Sequence, residues 1–413
     1  MRFCRSPWLL YSLYFSIRLL EIYETKSVAC PNRARLTAGR RNAIPLFAVS
    51  GRGIYIGQGA MKERIMTKNF HEELSGAFLL GDIGGTNARF SVVSADKERV
   101  QIFPTEKTAD FQNIDDAIEQ HILPLAEEYP ENLILAVAAP IEGNIIRMTN
   151  CHWSIEPEAL IKRFNFKRVI LINDFEAQAL AVSTVSKTYL KTIGGGTQNP
   201  FGARVVLGPG TGLGVAGIAS CNCRFLPVTS EGGHVDFAPH TARDFSLMPY
   251  FLKGRNRISA EKVLSGGGFL RIYNAICAVD GITPTLEDAA AITGAAHEKS
   301  NKQAVETVRL FLTYLARFAG DFAMIFKAHG GVYIGGGIVP KILSLLDETK
   351  FRQEFEDKGR HKHILETIPI YVMTHPRAAL KGMEALARRP QDYMIDYHDR
   401  LWTNDDKEAR KKK

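Results

Sequence analysis

Asn173 and Asp174 end the apolar run RVILIND (168–174) and open the helix-forming stretch FEAQALAVS. An Asn-Asp pair at such a junction either caps the helix or exposes a carboxylate at the carboxyl end of a strand, where open α/β sheets place ligands. In the second case the chemistry is that of a general base. SEGGHVDFAP (230–239) sets Glu231 and His234 on either side of two glycines. A loop carrying a carboxylate and an imidazole caps its own backbone or binds hydroxyl groups. Glu261, just behind Ser259 in SAEKVLSGGG, reads first as a capping-box residue.

Glycine-rich turns are the second chemical signal. They fall at 81–85, 208–214 and 335–337, each directly after an apolar strand. Glycine supplies the positive φ of a tight hairpin, and its missing side chain lets backbone N–H groups approach an anion. One such turn is usually structural, whereas three at strand ends fit a site that clamps a triphosphate from two domains. Asp82, in the first turn, serves either an Asx turn or a magnesium ion held through water. Its neighbours are read as too poor in carbon to bury it. No G-x-x-x-x-G-K-[ST] occurs, which excludes a P-loop. GLGVAG (212–217) matches the dinucleotide fingerprint, with Glu231 at about the spacing of a ribose-binding acid. The β-branched and small residues there continue a strand where that fingerprint needs a helix.

The elements that must position these residues follow from periodicity. AFLLG (77–81), RFSVVSA (89–95), VQIFPTE (100–106), LILAVAAP (133–140), GNIIRMTN (143–150) and RVILIND read as strands. Residues 113–129 have helical spacing, with Asp110 as a cap and Pro124 as a kink, and 156–164 form a short helix. ARVVLGPGTGLGVAGIAS (203–220) repeats the opening device of apolar strand, glycine turn and apolar strand. Helices are expected over 260–278, 286–297 and 302–328. GVYIGGGIVPKIL (331–343) then gives a strand, a turn and a helix near Pro340. IPIYVM (368–373) is a late strand, and residues 376–389 form the closing helix. Two passes from hairpin to alternating helix and strand predict two α/β domains of similar plan, with a nucleotide in the cleft between them.

Bulk properties narrow the classes. The 413 residues accommodate two cores, and no apolar run is long enough to span a membrane. The net charge of +8 is local: residues 1–70 carry 12 basic and 3 acidic side chains, the remaining 343 carry 40 and 41. The near-neutral body speaks against nucleic acid as a partner. Six scattered cysteines, with Cys221 and Cys223 the only close pair, make neither a disulfide scaffold nor a zinc set. They are expected as reduced thiols of a cytoplasmic protein. The leader resembles a signal peptide only until Arg18, Glu21, Glu24 and Lys26 interrupt it. Natural translation is expected to start at Met61 or Met66.

GDIGGTNARF, AAPIEGNIIRMTNCHW, LINDFEAQA, GPGTGLGVA, EGGHVDFAP, SAEKVLSGGGFLRIY, GGVYIGGGIVP and FEDKGR occur in this order over about residues 76–390. Together they resemble bacterial ATP-dependent glucokinases, members of the sugar kinase, Hsp70 and actin-type superfold. The resemblance implies an α/β fold of two RNase-H-like domains hinged around a nucleotide- and sugar-binding cleft. One domain would take 76–184 and 376–395 and the other 185–375, after a leader over 1–75 that is expected to be disordered or not part of the native chain and before a basic tail over 396–413. Its final KEARKKK is expected to be disordered.

The resemblance also implies roles. Gly81, Asp82, Ile83, Gly84, Gly85 and Thr86 would form the first phosphate loop, and 208–214, with Gly210, Thr211 and Gly212, the second. Gly336 would approach the adenosine. Asn173, Asp174, Glu231, His234 and Glu261 would line the glucose pocket, with Asp174 as catalytic base, ATP as donor and Mg2+ as cofactor in a homodimer. Asp174 needs no raised pKa if the hydroxyl proton leaves late in a loose transition state. SGGG stands where the family more usually has Ser-Gly-Pro-Gly. A zinc-containing repressor-and-kinase protein would carry a cysteine cluster after the sugar-binding histidine, yet only Cys277 follows His234. A hexose kinase of broader specificity would share the same motifs. A non-catalytic sugar sensor on this scaffold would not need Asp174, and a chaperone- or actin-type ATPase would not need the Asn173, Asp174, Glu231 and His234 set.

Overall fold

The computed structural model describes residues 74–221 and 224–404, with the backbone of two short strands, β1 (Val49–Ser50) and β2 (Gly53–Ile54). Those strands pair antiparallel inside a unit spanning Met1–Ile65. The rest of the leader, Cys223 and the KEARKKK tail lie outside the described residues. Met66–Lys413 is the second unit, and it holds every residue singled out above for chemistry.

Two sheets of the same plan build that unit. In the first, β3 (Phe78–Ile83), β4 (Asn87–Val93) and β5 (Val100–Ile102) form an antiparallel meander. The two-residue strand β6 (Glu106–Lys107) also pairs with β4. β7 (Asn132–Val137) lies parallel to β3 on its other side. The chain then makes a small antiparallel ribbon of β8 (Ile146–Arg147) and β9 (Ser154–Ile155). β10 (Arg168–Asn173) returns to the sheet parallel to β7.

In the second sheet β11 (Leu190–Ile193) is the edge, and β12 (Arg204–Pro209), β13 (Leu213–Cys221) and β14 (Arg224–Ser230) make the meander. β15 (Gly331–Ile334) runs parallel to β12, and β16 (Ile370–Met373) parallel to β15, with β11 antiparallel beside β16. β17 (Leu401–Thr403) completes the first sheet, antiparallel to β10. β7 is buried at every residue and β10 at its four central ones, as parallel strands covered on both faces must be. The two α/β lobes expected from the repeated strand and turn device are present.

One short helix, Asp174–Ala181, stands between the sheets. Its Ala177 and Leu180 belong to a cluster with Phe78, Leu80, Ile134 and Ile172 of the first sheet. Phe175 and Ala179 join Val206, Ala216 and Tyr333 of the second. A helix buried on two sides needs small residues, and DFEAQALA supplies three alanines. The closing helix, Ala378–Arg388, packs along it and against β3, β4 and β7. The outer faces carry the larger cores: Trp153, Phe164 and Phe166 behind the first sheet, and the Gly266–Asp280 and Lys302–Ile325 helices behind the second.

Several elements depart from the periodicity reading. The helix expected over 113–129 starts at Ile114, because Asn113 rather than Asp110 holds the N-cap position. It loosens over Ile118–Ile122 and tightens to its end over Leu123–Leu125 around Pro124. The helix expected over 260–278 is two, Ala260–Val263 and Gly266–Asp280, separated at Ser265. Helices at Ala242–Phe251 and Glu348–Glu356, and strands β11, β14 and β17, have no counterpart in that reading. β17 lies in the 396–413 stretch expected to be a tail.

The contact between the two central helices is the tightest test of this packing. A Cβ on Gly382 would lie 1.8 Å from the Ala177 carbonyl oxygen and 2.8 Å from the Ala181 nitrogen. Both are backbone atoms, so the helices must separate. Gly382→Ala is therefore expected to cost about 1–3 kcal/mol in urea unfolding.

Candidate functional site

β10 ends at Asn173, where the backbone is still extended and the side chain turns back over the next helix. Its Oδ1 accepts from the N–H groups of Phe175 (2.9 Å) and Glu176 (3.3 Å), and Glu176 Oε2 accepts from the Asn173 N–H at 3.4 Å. This is a complete capping box. The capping reading of Asn173 is therefore correct, and it leaves Asp174 as the first helical residue at the carboxyl end of a parallel strand. Asp174 Oδ1 accepts from the Phe175 N–H at 2.9 Å.

Acidic side chains from three segments act on one another here. Burial first, then the Asp82 carboxylate and more weakly Glu231, push the Asp174 carboxyl up to about 7, against backbone N–H groups that lower it. The carboxyl is thus poised near neutrality, a shift that the loose-transition-state argument did not require. Asp82 sits in β3 directly across from Arg89 of β4, and Arg89 Nη1 donates to its Oδ2 at 3.3 Å. Its side chain is only 17% exposed, and burial raises its pKa while Arg89 lowers it. Asp82 is thus largely shielded, contrary to the expectation of open surroundings, inside β3 between β4 and β7.

The first glycine turn is narrower than its motif. Gly81 lies inside β3, paired with Phe90, and a Cβ there would meet Leu135 at 2.6 Å. Ile83 points into the core. Only residues 84–86 form the turn, closed by Gly84 N–H donating to Asn87 O at 3.0 Å. Thr108 braces it, its N–H donating to Thr86 O (3.1 Å) and its hydroxyl to Gly85 O (2.9 Å).

The second and third glycine turns converge. Gly210 N–H donates to Gly212 O (2.8 Å), while Gly210 O accepts from Gly266 N–H (2.9 Å) at the start of the Gly266–Asp280 helix. Gly336 has φ +80°, and a Cβ there would come within 2.5 Å of Pro209 O, so only glycine fits. Thr211 is exposed at the tip of this loop. Glu261 does not cap its helix. It occupies the second helical position, not the third that a capping box requires, and Ser259 makes no side-chain cap bond. Its Oε2 instead accepts from Leu213 N–H at 3.1 Å, fixing the second turn.

Glu231 and His234 stand on a loop of the second lobe, with side chains 83% and 58% exposed and His234 Nε2 3.7 Å from Glu231 Oε2. Gly233 lets that loop lie on β13, since a Cβ would strike Leu213 O at 2.0 Å. Arg257 fixes the far side by donating to the His234 carbonyl and to Asp236. The site therefore brings Asp82 and Glu231 within electrostatic reach of Asp174, with Asn173 next to it in the chain and His234 beside Glu231. Glu261 and Gly336 hold the second glycine turn.

Among the described residues no three His, Cys, Asp or Glu side chains form a metal-ligand group. Asp82 still fits a dication held through water that takes its other oxygens from phosphates, since a positive charge beside it would relieve the repulsion that raises Asp174. Sequence reasoning missed Arg89, Glu176 and Arg400. The N-x-x-E spacing after Asn173 signals Glu176, strand register signals Arg89, and nothing in the sequence signals Arg400.

A family model described as Glucokinase matches residues 79–390. A glucokinase of Rhizobium etli is 48% identical over 324 residues, 78% of this chain and 95% of that one. The Agrobacterium fabrum glucokinase is 46% identical over 331 residues, 80% and 97% of the two chains. The crystal structure of a glucokinase from an Antarctic psychrotroph superposes with TM-score 0.68 at 32% identity, covering 76% of this chain and 99% of that one. Duplicated sheets, two converging glycine turns and a carboxylate at a strand end fit a sugar kinase. The chain belongs to the glucokinase family. Among the described residues no helix is long and apolar enough to cross a membrane.

The raised pKa of Asp174 has a consequence for stability. The folded state holds its proton up to about pH 7, whereas an unfolded carboxyl releases it near 3.8. Stability from this group therefore declines as pH rises between those values. Asp174→Asn, neutral throughout, is expected to match the wild-type melting temperature at pH 4 and to exceed it at pH 8 by a few degrees in thermal unfolding.

Proposed function

We propose that the protein transfers the γ-phosphate of ATP to the 6-hydroxyl of glucose, with Asp174 as general base. The observation that carries this reading is the position and state of Asp174: a carboxyl at the end of a parallel strand, held near neutrality by burial and by acidic neighbours from both lobes. Such a group accepts a hydroxyl proton efficiently at neutral pH.

The 84–86 turn and the convergent 208–214 and 335–337 turns would hold the nucleotide, with backbone N–H groups directed at phosphate oxygens and Gly336 beside the adenosine. The N-terminus of the Gly266–Asp280 helix, tied to Gly210, adds a favourable dipole for anions. Glu231 accepts sugar hydroxyls in charge-assisted hydrogen bonds, and Asn173 and His234 donate to sugar oxygens. Glu261, anchored on Leu213, completes the pocket. Through water, Asp82 would face Mg2+, which supplies charge neutralisation at the phosphates when bound. As the O6–P bond forms and the bond to the leaving ADP oxygen breaks, Asp174 takes the O6 proton. The exposure of Glu231 and His234 fits an open cleft, and closure of the lobes on glucose would exclude the water that competes as acceptor. The reading extends to the cytoplasm, where the free Cys151, Cys221 and Cys277 stay reduced, and to a homodimer, which light scattering tests.

Sugar 6-phosphate formation from ATP and Mg2+ across a panel of hexoses decides the proposal. Glucose is expected to react fastest, and Asp174→Asn to lower kcat at least about 100-fold with folding intact. ATP hydrolysis indifferent to sugar would point to an ATPase, and binding of sugar without turnover to a sensor. The wild-type kcat/KM, which reports the free enzyme, is further expected to rise with pH through an acid limb near 7, where Asp174 ionises, and an acid limb below pH 5 in that profile would exclude Asp174 as the titrating base.

A further inference from the structure

Glu176 is buried to 1% exposure two residues beyond Asp174, and it is ion-paired with Arg400. Arg400 Nη1 donates to Glu176 Oε2 at 2.6 Å. The same oxygen accepts from the Asn173 N–H, which closes the capping box under Asp174. Arg400 is fixed from its other end as well. Its carbonyl accepts from the Leu171 N–H at 3.0 Å, and β17, which it precedes, pairs with β10 through Leu401, Trp402 and Thr403. Trp402 is sunk in the core behind the first sheet. Arg400 therefore spans from the strand that ends in Asn173 to the helix that begins with Asp174. It lies beyond residue 390, where the match to the family model ends.

We propose that Arg400 is a positioning residue for Asp174, acting through Glu176 and the Asn173 N–H; this rests on Asp174 being the base. A buried carboxylate that loses its ionic partner turns toward water. That movement loosens the bond to Asn173, and with it the cap that sets the direction of the Asp174 side chain. Misplacement of a catalytic group by about 1 Å costs on the order of 100-fold in rate. Substrate contacts made by Glu231 and His234 lie on the other lobe and are untouched, whereas the Asn173 contact to the sugar shifts with the cap. The defect should therefore fall mainly on kcat, with a smaller rise in KM for glucose.

The test uses the full chain with Arg400→Ala, Arg400→Lys, Glu176→Gln and the Arg400→Ala/Glu176→Gln double variant, each confirmed folded by circular dichroism at the assay temperature. Arg400→Ala is expected to lower kcat about 30-fold, with KM for glucose and ATP within about 3-fold of wild type. The double variant should regain about 10-fold of that loss, because a glutamine oxygen still accepts from Asn173 and leaves no buried charge. Arg400→Lys and Glu176→Gln should each lose about 3- to 10-fold, and they decide the matter if Arg400→Ala does not fold. A lowered melting temperature with unchanged kcat, or a double variant no better than the single, would overturn the proposal. Asp174→Asn in the same assay separates the two readings. If it retains activity, the base assignment fails; if it is inactive while the Arg400 and Glu176 variants are unaffected, only the positioning role fails.

Discussion

A helix of eight residues has to face two sheets at once, and that constraint organises the molecule. Asp174–Ala181 gives Ala177 and Leu180 to one lobe and Phe175 and Ala179 to the other. Its diameter is therefore the separation of the lobes, and only small side chains keep it narrow. Gly214 of β13 yields to the Phe175 ring, which would lie 1.8 Å from a Cβ. Gly382 yields to the helix backbone in the same way. The first residue of this shared helix is Asp174. The carboxyl proposed as base thus sits on the element that both lobes hold, where a displacement of one lobe against the other moves it least.

Electrostatics at the cleft follow from the same arrangement. The three acids around the site come from different segments, Asp82 from β3, Asp174 from the shared helix and Glu231 from the second lobe. Their mutual repulsion, added to burial, holds Asp174 near neutrality, a cost the fold bears without ligand. Active sites often store such cost. Arg89 moderates it at Asp82, and Arg400 does so at the neighbouring Glu176. The ion pair behind the turn and the unrelieved acid in front of it are distinct arrangements: one fixes geometry, the other keeps a group reactive.

Much of this was legible in the sequence. Apolar strands followed by glycine turns, repeated after about 120 residues, carried the two-lobe plan. The Asn-Asp junction marked the end of a parallel strand. What stayed hidden was hidden for physical reasons. Glu261 lies close enough to Ser259 to resemble a cap, and only the fold shows that its carboxylate crosses to Leu213. Asp82 looks open in a glycine-rich segment, yet it lies inside β3, between β4 next in the chain and β7 much farther along it. Gly81 and Gly85 carry the same letter in one motif. One lies within a strand because Leu135 and Phe90 occupy its space, and the other lies in the turn beside Asn150.

The edge strands show where local pattern ends and topology begins. β11 and β17 occupy equivalent places, each antiparallel beside the last parallel strand of its sheet. Both are short, as edge strands often are, and three or four residues give no periodicity to read. β11 lies in the chain between the lobes, whereas β17 comes from the C-terminal segment returning across the first lobe. An edge strand that arrives last can bring a residue to a place the rest of the chain cannot reach. Arg400 enters at the flank of β10 that β17 covers and meets Glu176 there. Such a partner for the capping box has no counterpart in the sequence neighbourhood of Asp174, so it must come from elsewhere in the chain.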